Sequence, residues 1–242
     1  MLPRFKPNYN WREIIAAISF WKNETVQYEM EFANKFGCSY GVMFSYGRSG
    51  LYSLFKVWGI EDKEIITPAY TCAVVPHAIV LSGNHPRFVD CEDGGFNMDY
   101  NELESSISNR TGAIVVTHLF GYAMDVKRIQ KIVHKAEKKF NKKIFVIQDL
   151  AHSYGTTYKG ELVSNFGDAA IFGCNISKII NSIYGGMVIT NNNRTFSLLL
   201  DMKRSLKKPK WSKELSRFFY LIAVIFAFKP KLYGMVNFLE RK

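Results

Sequence analysis

Cysteine is scarce in this sequence and does not cluster. The four thiols, Cys38, Cys72, Cys91 and Cys174, show no CxxC spacing. Neither a thiolate metal site nor a disulfide framework is expected, and a reducing compartment suits them. The opening stretch Met1-Leu2-Pro3-Arg4-Phe5-Lys6-Pro7 is too polar and too broken by proline for a secretory signal, which points to the cytoplasm. The apolar stretch 218–228 has eleven residues, whereas a helix that spans a bilayer needs roughly 20, so no transmembrane helix is expected. Acidic residues run short in one place. After Met202 eleven basic residues face two acidic ones, and the tail carries +9 of the chain's net +11. The body before it is nearly neutral, which excludes a nucleic-acid footprint spread over the whole protein.

What is present is an alternation of short apolar runs and helical patterns. A chain of 242 residues, 48% of them hydrophobic, is enough for one large core. Trp11, Ile14, Ile15 and Ile18, then Tyr28, Phe32 and Phe36, recur at helical steps, so residues 11–37 read as an amphipathic helix pair. Strands are expected at 39–45, 64–68, 86–90, 113–117, 143–149, 166–172 and 183–190. Helices are expected from Leu51 and over 73–82, 97–107 and 125–139, the last with a basic solvated face. Strands alternating with helices predict an α/β fold, a mostly parallel sheet with helices on both faces.

Such sheets bind ligands beyond the C-terminal ends of their strands. Three stretches fall there. Tyr46-Gly47-Arg48-Ser49-Gly50 joins a strand to a helix start, where backbone N–H groups and the helix dipole favour an anion; it also reads as an ordinary turn. Asp149 ends the run Val146-Ile147-Gln148-Asp149, either as a ligand-binding acid or as a helix N-cap. Lys178 follows about thirty residues later, beyond the next apolar run. An acid for a ring nitrogen and an amine for an aldehyde are what pyridoxal 5'-phosphate (PLP) requires.

The blocks Ile65-Ile66-Thr67-Pro68-Ala69-Tyr70-Thr71, Phe88-Val89-Asp90, Val116-Thr117-His118-Leu119-Phe120-Gly121, Gln148-Asp149-Leu150-Ala151-His152, Phe166-Gly167-Asp168 and Ser177-Lys178 stand in one order. In that order and spacing, from Phe5 to about Asn193, the chain resembles the DegT/DnrJ/EryC1/StrS family of PLP-dependent sugar aminotransferases. The resemblance implies the large domain of PLP-dependent transferase fold type I, with three layers. It implies transamination of a keto group on a nucleotide-linked sugar by an amino-acid donor such as glutamate, in a homodimer with its sites at the interface. Lys178 matches the lysine that binds the cofactor, and Asp149 the acid on its ring nitrogen. His152 matches a position near the ring oxygen, and Gly47 the phosphate turn. Some relatives dehydrate sugars and carry a histidine where Lys178 stands.

The match has departures. Arg48 replaces a hydroxyl residue, and its charge would suit a phosphate. Gly173 replaces a serine on the phosphate; that change removes a hydrogen bond of roughly 1 kcal/mol. Cys72 replaces the aromatic ring stacked on the pyridine, and otherwise reads as a small buried hydrophobe. Tyr70, two residues away, is a substitute for that ring or a core residue. His118 is either a site residue or a structural histidine of its loop. No metal ligand set is expected.

Three regions follow: a helical arm at 1–40, a PLP-binding large domain at 41–195, and a basic, apolar helical tail at 196–242, which also reads as the truncated start of a C-terminal domain. Asn192-Asn193-Arg194 reads as a turn. The tail reads in two ways, as a buried helix whose partner is missing from a truncated chain, with a helical hairpin at a dimer interface as a variant, or as a membrane-surface anchor through 203–242. The alternative to an enzyme is a truncated, non-catalytic remnant of the PLP fold that binds partners or a membrane surface.

Overall fold

The computed structural model describes residues 9–18, 24–207, 210–229, 232–234 and 238. The sequence readings of 1–7 and of most of the last eleven residues lie outside these. The chain divides into two compact units, Thr25–Ser205 and the pair of segments Met1–Glu24 and Leu206–Lys242.

The strands are β1 (Tyr40–Phe44), β2 (Glu64–Pro68), β3 (His85–Val89), β4 (Thr111–Thr117), β5 (Phe145–Asp149), β6 (Thr157–Tyr158), β7 (Glu161–Leu162), β8 (Ala169–Gly173) and β9 (Gly186–Thr190). The helices are α1 (Trp11–Ile18), α2 (Glu24–Lys35), α3 (Gly47–Val57), α4 (Val74–Leu81), α5 (Tyr100–Ser106), α6 (Val126–Phe140), α7 (Asn193–Ser205) and α8 (Trp211–Ala227).

Seven strands form one sheet in the order β1-β9-β8-β5-β4-β2-β3. The run from β8 to β3 is parallel, and β9 lies antiparallel to both its neighbours. Every residue of β4 is buried, as its β-branched run requires in a sheet covered on both sides. The period of two then sorts side chains to the two faces. Ile65, Val115, Ile147 and Ile171 pack with Leu51 and Leu54 of α3, Ile79 of α4 and Leu199 of α7. Ile66, Ile114, Val116 and Val146 pack with Leu103 of α5 and Ile129 and Val133 of α6. Further along, Phe32 of α2 and Phe36 just after it cover Phe172, Met187 and Ile189. The result is the three-layer α/β architecture expected.

Buried Glu29 fastens one edge. Its Oε1 accepts from the Met43 N–H at 2.6 Å and from Lys203 Nζ at 2.6 Å, which ties α2, β1 and α7. A buried charge is tolerable when it is paired in this way.

Two readings need correction. Asn192-Asn193-Arg194 is no plain turn: Asn192 Oδ1 accepts from the Thr195 N–H at 2.8 Å and caps α7. The strand expected from Phe166 begins at Ala169, because Gly167 takes φ +87 before it. In the smaller unit α1 packs against α8, which contains the whole apolar run up to Ala227. No described helix is long and apolar enough to cross a membrane.

Candidate active site

A cavity of about 420 Å³ opens at the C-terminal ends of the parallel strands. All eight residues expected at a site line it: Gly47, Arg48, Tyr70, Cys72, Asp149, His152, Gly173 and Lys178. β5 delivers Asp149 to the cavity, and β8 ends at Gly173 beside it.

The first backbone N–H groups of a helix have no partner within it, and no side chain caps α3. Those donors therefore begin at Gly47, on the cavity wall. Close approach favours glycine there. A Cβ on Gly47 would lie 3.1 Å from the Phe172 carbonyl oxygen and 3.3 Å from Gly173 Cα. Gly186 of β9 is held more strictly still, since a Cβ on it would fall 2.1 Å from Gly47 N. The guanidinium of Arg48 sits 4.4 Å over the Tyr46 ring.

Asp149 is buried. Its Oδ1 accepts from the Ala151 N–H at 3.0 Å, and its Oδ2 has a long contact of 3.4 Å from Thr117 Oγ1. The residues after it form turns, not a helix, so the N-cap alternative does not apply. Burial raises its carboxyl above the ordinary range, offset first by the Ala151 N–H and then by the nearby Lys178 and His152.

Lys178 stands in the loop between β8 and β9. Asn175 organises that loop: its Oδ1 accepts from the Ser177 N–H at 3.1 Å, and its carbonyl accepts from the Lys178 N–H at 3.0 Å. Burial lowers the amine's pKa; the charges of Asp149 and Cys72 oppose this. Lys178 Nζ lies 2.7 Å from His152 Nε2. Burial also lowers His152, and the neighbouring amine lowers it further.

Cys72 is exposed on the cavity wall, not a buried hydrophobe. Tyr70 is likewise exposed, not in the core; its ring is 6.1 Å from that of Phe96. His118 is the structural histidine of its loop. Its Nε2 pairs with Gln148 Oε1 at 2.8 Å, and its Nδ1 accepts from the Met124 N–H at 3.0 Å. Burial pushes its pKa down to about 4.

The sequence reading missed Tyr46, Thr71, Phe120 and Asn175 in the cavity lining. Phe120 had a signal, because it lies just past the C-terminal edge of a parallel strand. It takes φ +55, an uncommon conformation for an aromatic residue, and its ring meets His152 edge-on at 6.0 Å. Among the described residues no group of His, Cys, Asp and Glu is arranged to hold a metal ion.

Fold and site define a three-layer α/β protein with a buried carboxylate and a recessed lysine in one cavity. The model of the DegT/DnrJ/EryC1/StrS aminotransferase family matches residues 15–228, and the chain belongs to that family. It is similar to the GDP-perosamine synthase of Escherichia coli O157:H7, at 32% identity over 190 residues, 76% of this chain and 50% of that protein. The sugar aminotransferase CalS13 from Micromonospora echinospora superimposes with a TM-score of 0.75 at 25% identity, over 82% of this chain and 56% of that one. The E. coli GDP-4-keto-6-deoxy-D-mannose-3-dehydratase with bound hydrated PLP gives 0.73 at 23% identity, over 83% and 54% of the two chains, a likeness of fold. The chain spans about half the length of the curated relatives it matches.

Proposed function

We propose that this chain forms the cofactor-binding part of a PLP-dependent aminotransferase. Its reaction converts a keto group of a nucleotide-linked sugar to an amine, with an amino acid such as glutamate as donor. The observation that carries this reading is the meeting of Asp149 and Lys178 in one cavity, on a chain of the aminotransferase family. Lys178 at its position favours amination over dehydration.

The residues fit the cofactor. Asp149 has a buried carboxylate with a weakly used Oδ2, which suits a cationic ring N–H. Gly47, Arg48 and Gly173 surround the start of α3 and suit a phosphate. Tyr70, Cys72 and His152 frame the space between them. When bound, PLP supplies an electron sink for the charge left as the substrate loses its α-proton. Burial keeps more of the Lys178 amine unprotonated, so Nζ is the group that would hold the cofactor's aldehyde and that, when free of it, would carry a proton. His152 Nε2, 2.7 Å away, is within hydrogen-bond reach of Nζ and orients it. Two copies are proposed to assemble around the sites, and the nucleotide-linked sugar and the amino donor use the same cavity in turn.

The departures at Cys72 and Gly173 favour a second reading, in which the fold binds PLP without turnover. The absorption spectrum of the purified chain with added PLP, beside Lys178→Ala, tests both. A visible band that borohydride traps on Lys178, absent in the variant, supports cofactor binding. Bleaching of that band by an amino donor supports amination; a stable band supports the second reading. Absence of any band in the wild type defeats both.

A further inference from the structure

From Phe218 onward α8 is apolar on both faces, and only one of them is buried. Leu221 and Val224 are buried, while Leu215, Phe219 and Phe226 are exposed by 38%, 59% and 48%. Spacings of four and seven residues set these three in one stripe along the helix. A helix at a protein surface ordinarily turns polar residues outward, and a continuous apolar patch marks an interaction site. Trp211, at the start of the helix, is the most exposed of its aromatic residues at 76%.

The charges around the stripe say what covers it. Lys207, Lys210 and Lys213 lie at its N-terminal end and Lys229 at its C-terminal end, all exposed. Glu214, the acidic residue of α8, is paired with Arg217 at 3.0 Å. These lysines belong to the tail that carries +9 of the chain's +11. An apolar protein partner would satisfy the stripe and leave the cations at its ends unmatched. An anionic lipid surface satisfies both.

We propose that the exposed stripe of α8 lies in the surface of an anionic bilayer. Leu215, Phe219 and Phe226 reach the acyl boundary, Trp211 sits at headgroup level, and the lysines at the two ends meet lipid phosphates. With 17 residues α8 lies along the membrane and does not cross it. This inference needs neither bound PLP nor turnover, so it stands or falls apart from the proposed activity.

The test is co-sedimentation of the full chain with phosphatidylcholine vesicles, with and without phosphatidylglycerol, at low and high salt. The proposal expects binding that needs phosphatidylglycerol and is released by salt. Changing Lys207, Lys210 and Lys213 together to Gln leaves the apolar packing untouched and is expected to weaken binding roughly tenfold or more. Phe219→Asp with Phe226→Asp is expected to abolish it while circular dichroism stays unchanged. No binding by the wild type at low salt overturns the proposal. So does binding that a folded Phe219→Asp, Phe226→Asp variant retains, since tail charge alone would then suffice. If the wild type ignores vesicles and the same double variant dissociates a dimer in sedimentation equilibrium, the stripe belongs to a second copy of the chain.

Discussion

Lys178 Nζ and His152 Nε2 lie 2.7 Å apart, too close for both groups to be charged in a half-buried site. The two nitrogens are within hydrogen-bond distance, and the amine's charge disfavours a protonated imidazole. Burial is the larger cause of the depressed His152 pKa and Lys178 the second. Lys178→Met is therefore expected to raise the His152 pKa part of the way towards its ordinary value. A titration of the imidazole signals by NMR, without cofactor, checks this. An unchanged titration would show that the amine does not hold the imidazole pKa down.

Asp149 separates cofactor affinity from stability. Asp149→Asn keeps an acceptor for the Ala151 N–H and removes a carboxylate whose pKa burial has raised. Without cofactor the variant is expected to melt higher than the wild type. A hydrogen bond to a charged group contributes about 1.5–3 kcal/mol, so its affinity for PLP should fall about 10- to 100-fold. Thermal melts with and without PLP read both effects. A variant that melts lower and binds PLP normally would mean that the carboxylate serves the fold.

Gly173 has room for the serine of the family pattern. A Cβ there would lie 3.5 Å from Ala151 Cβ and 3.5 Å from Lys178 Cε, ordinary contacts. Gly173→Ser is expected to leave the melting temperature unchanged and to tighten PLP binding about fivefold, the worth of a hydrogen bond of about 1 kcal/mol. Gly186→Ala is the contrasting case. Its Cβ would meet Gly47 N at 2.1 Å, and the overpacking should cost about 3 kcal/mol. Chemical denaturation and a PLP titration of each variant give the comparison.

His118 should make the fold sensitive to acid. Its pKa is lowered from 6.5 to about 4 because burial disfavours the charged ring. In the unfolded chain the ring takes its proton near pH 6.5. Its contribution is complete above that pH and is lost as the pH falls towards 4, where both states are protonated. The full loss is about 3 kcal/mol. Urea unfolding at neutral pH and near pH 4.5 measures it. His118→Gln should flatten this part of the profile, although it also disturbs the bonds to Gln148 and Met124.

Much of the frame was legible in the sequence because a strand carries its own signals. The run ending at Pro68 became β2, and Asp125, read as the start of a helix, caps α6 at the Arg128 N–H with 2.8 Å. α7 was missed. Its apolar residues Phe196, Leu199 and Leu200 were read with a basic tail, and only the sheet face they cover shows them to be core. Cys72 looked like a small core residue because thiols usually are; the loop after β2 leaves it on the cavity wall.

The two histidines mark where local reading ends. His118 and His152 both follow an apolar run with an acid or hydroxyl residue at its end, and nothing local separates them. Gln148 of the neighbouring strand and the Met124 N–H take both nitrogens of His118, while Lys178 meets His152. Period, turn chemistry and residue order determined that a parallel sheet would carry a carboxylate and a lysine to its edge, because those signals act over a few residues. Tertiary structure decided which side chains face the cavity, that β9 runs against its neighbours, and that α8 keeps an exposed apolar stripe. Those outcomes depend on contacts between residues far apart in the chain, where strand order and burial set the partners.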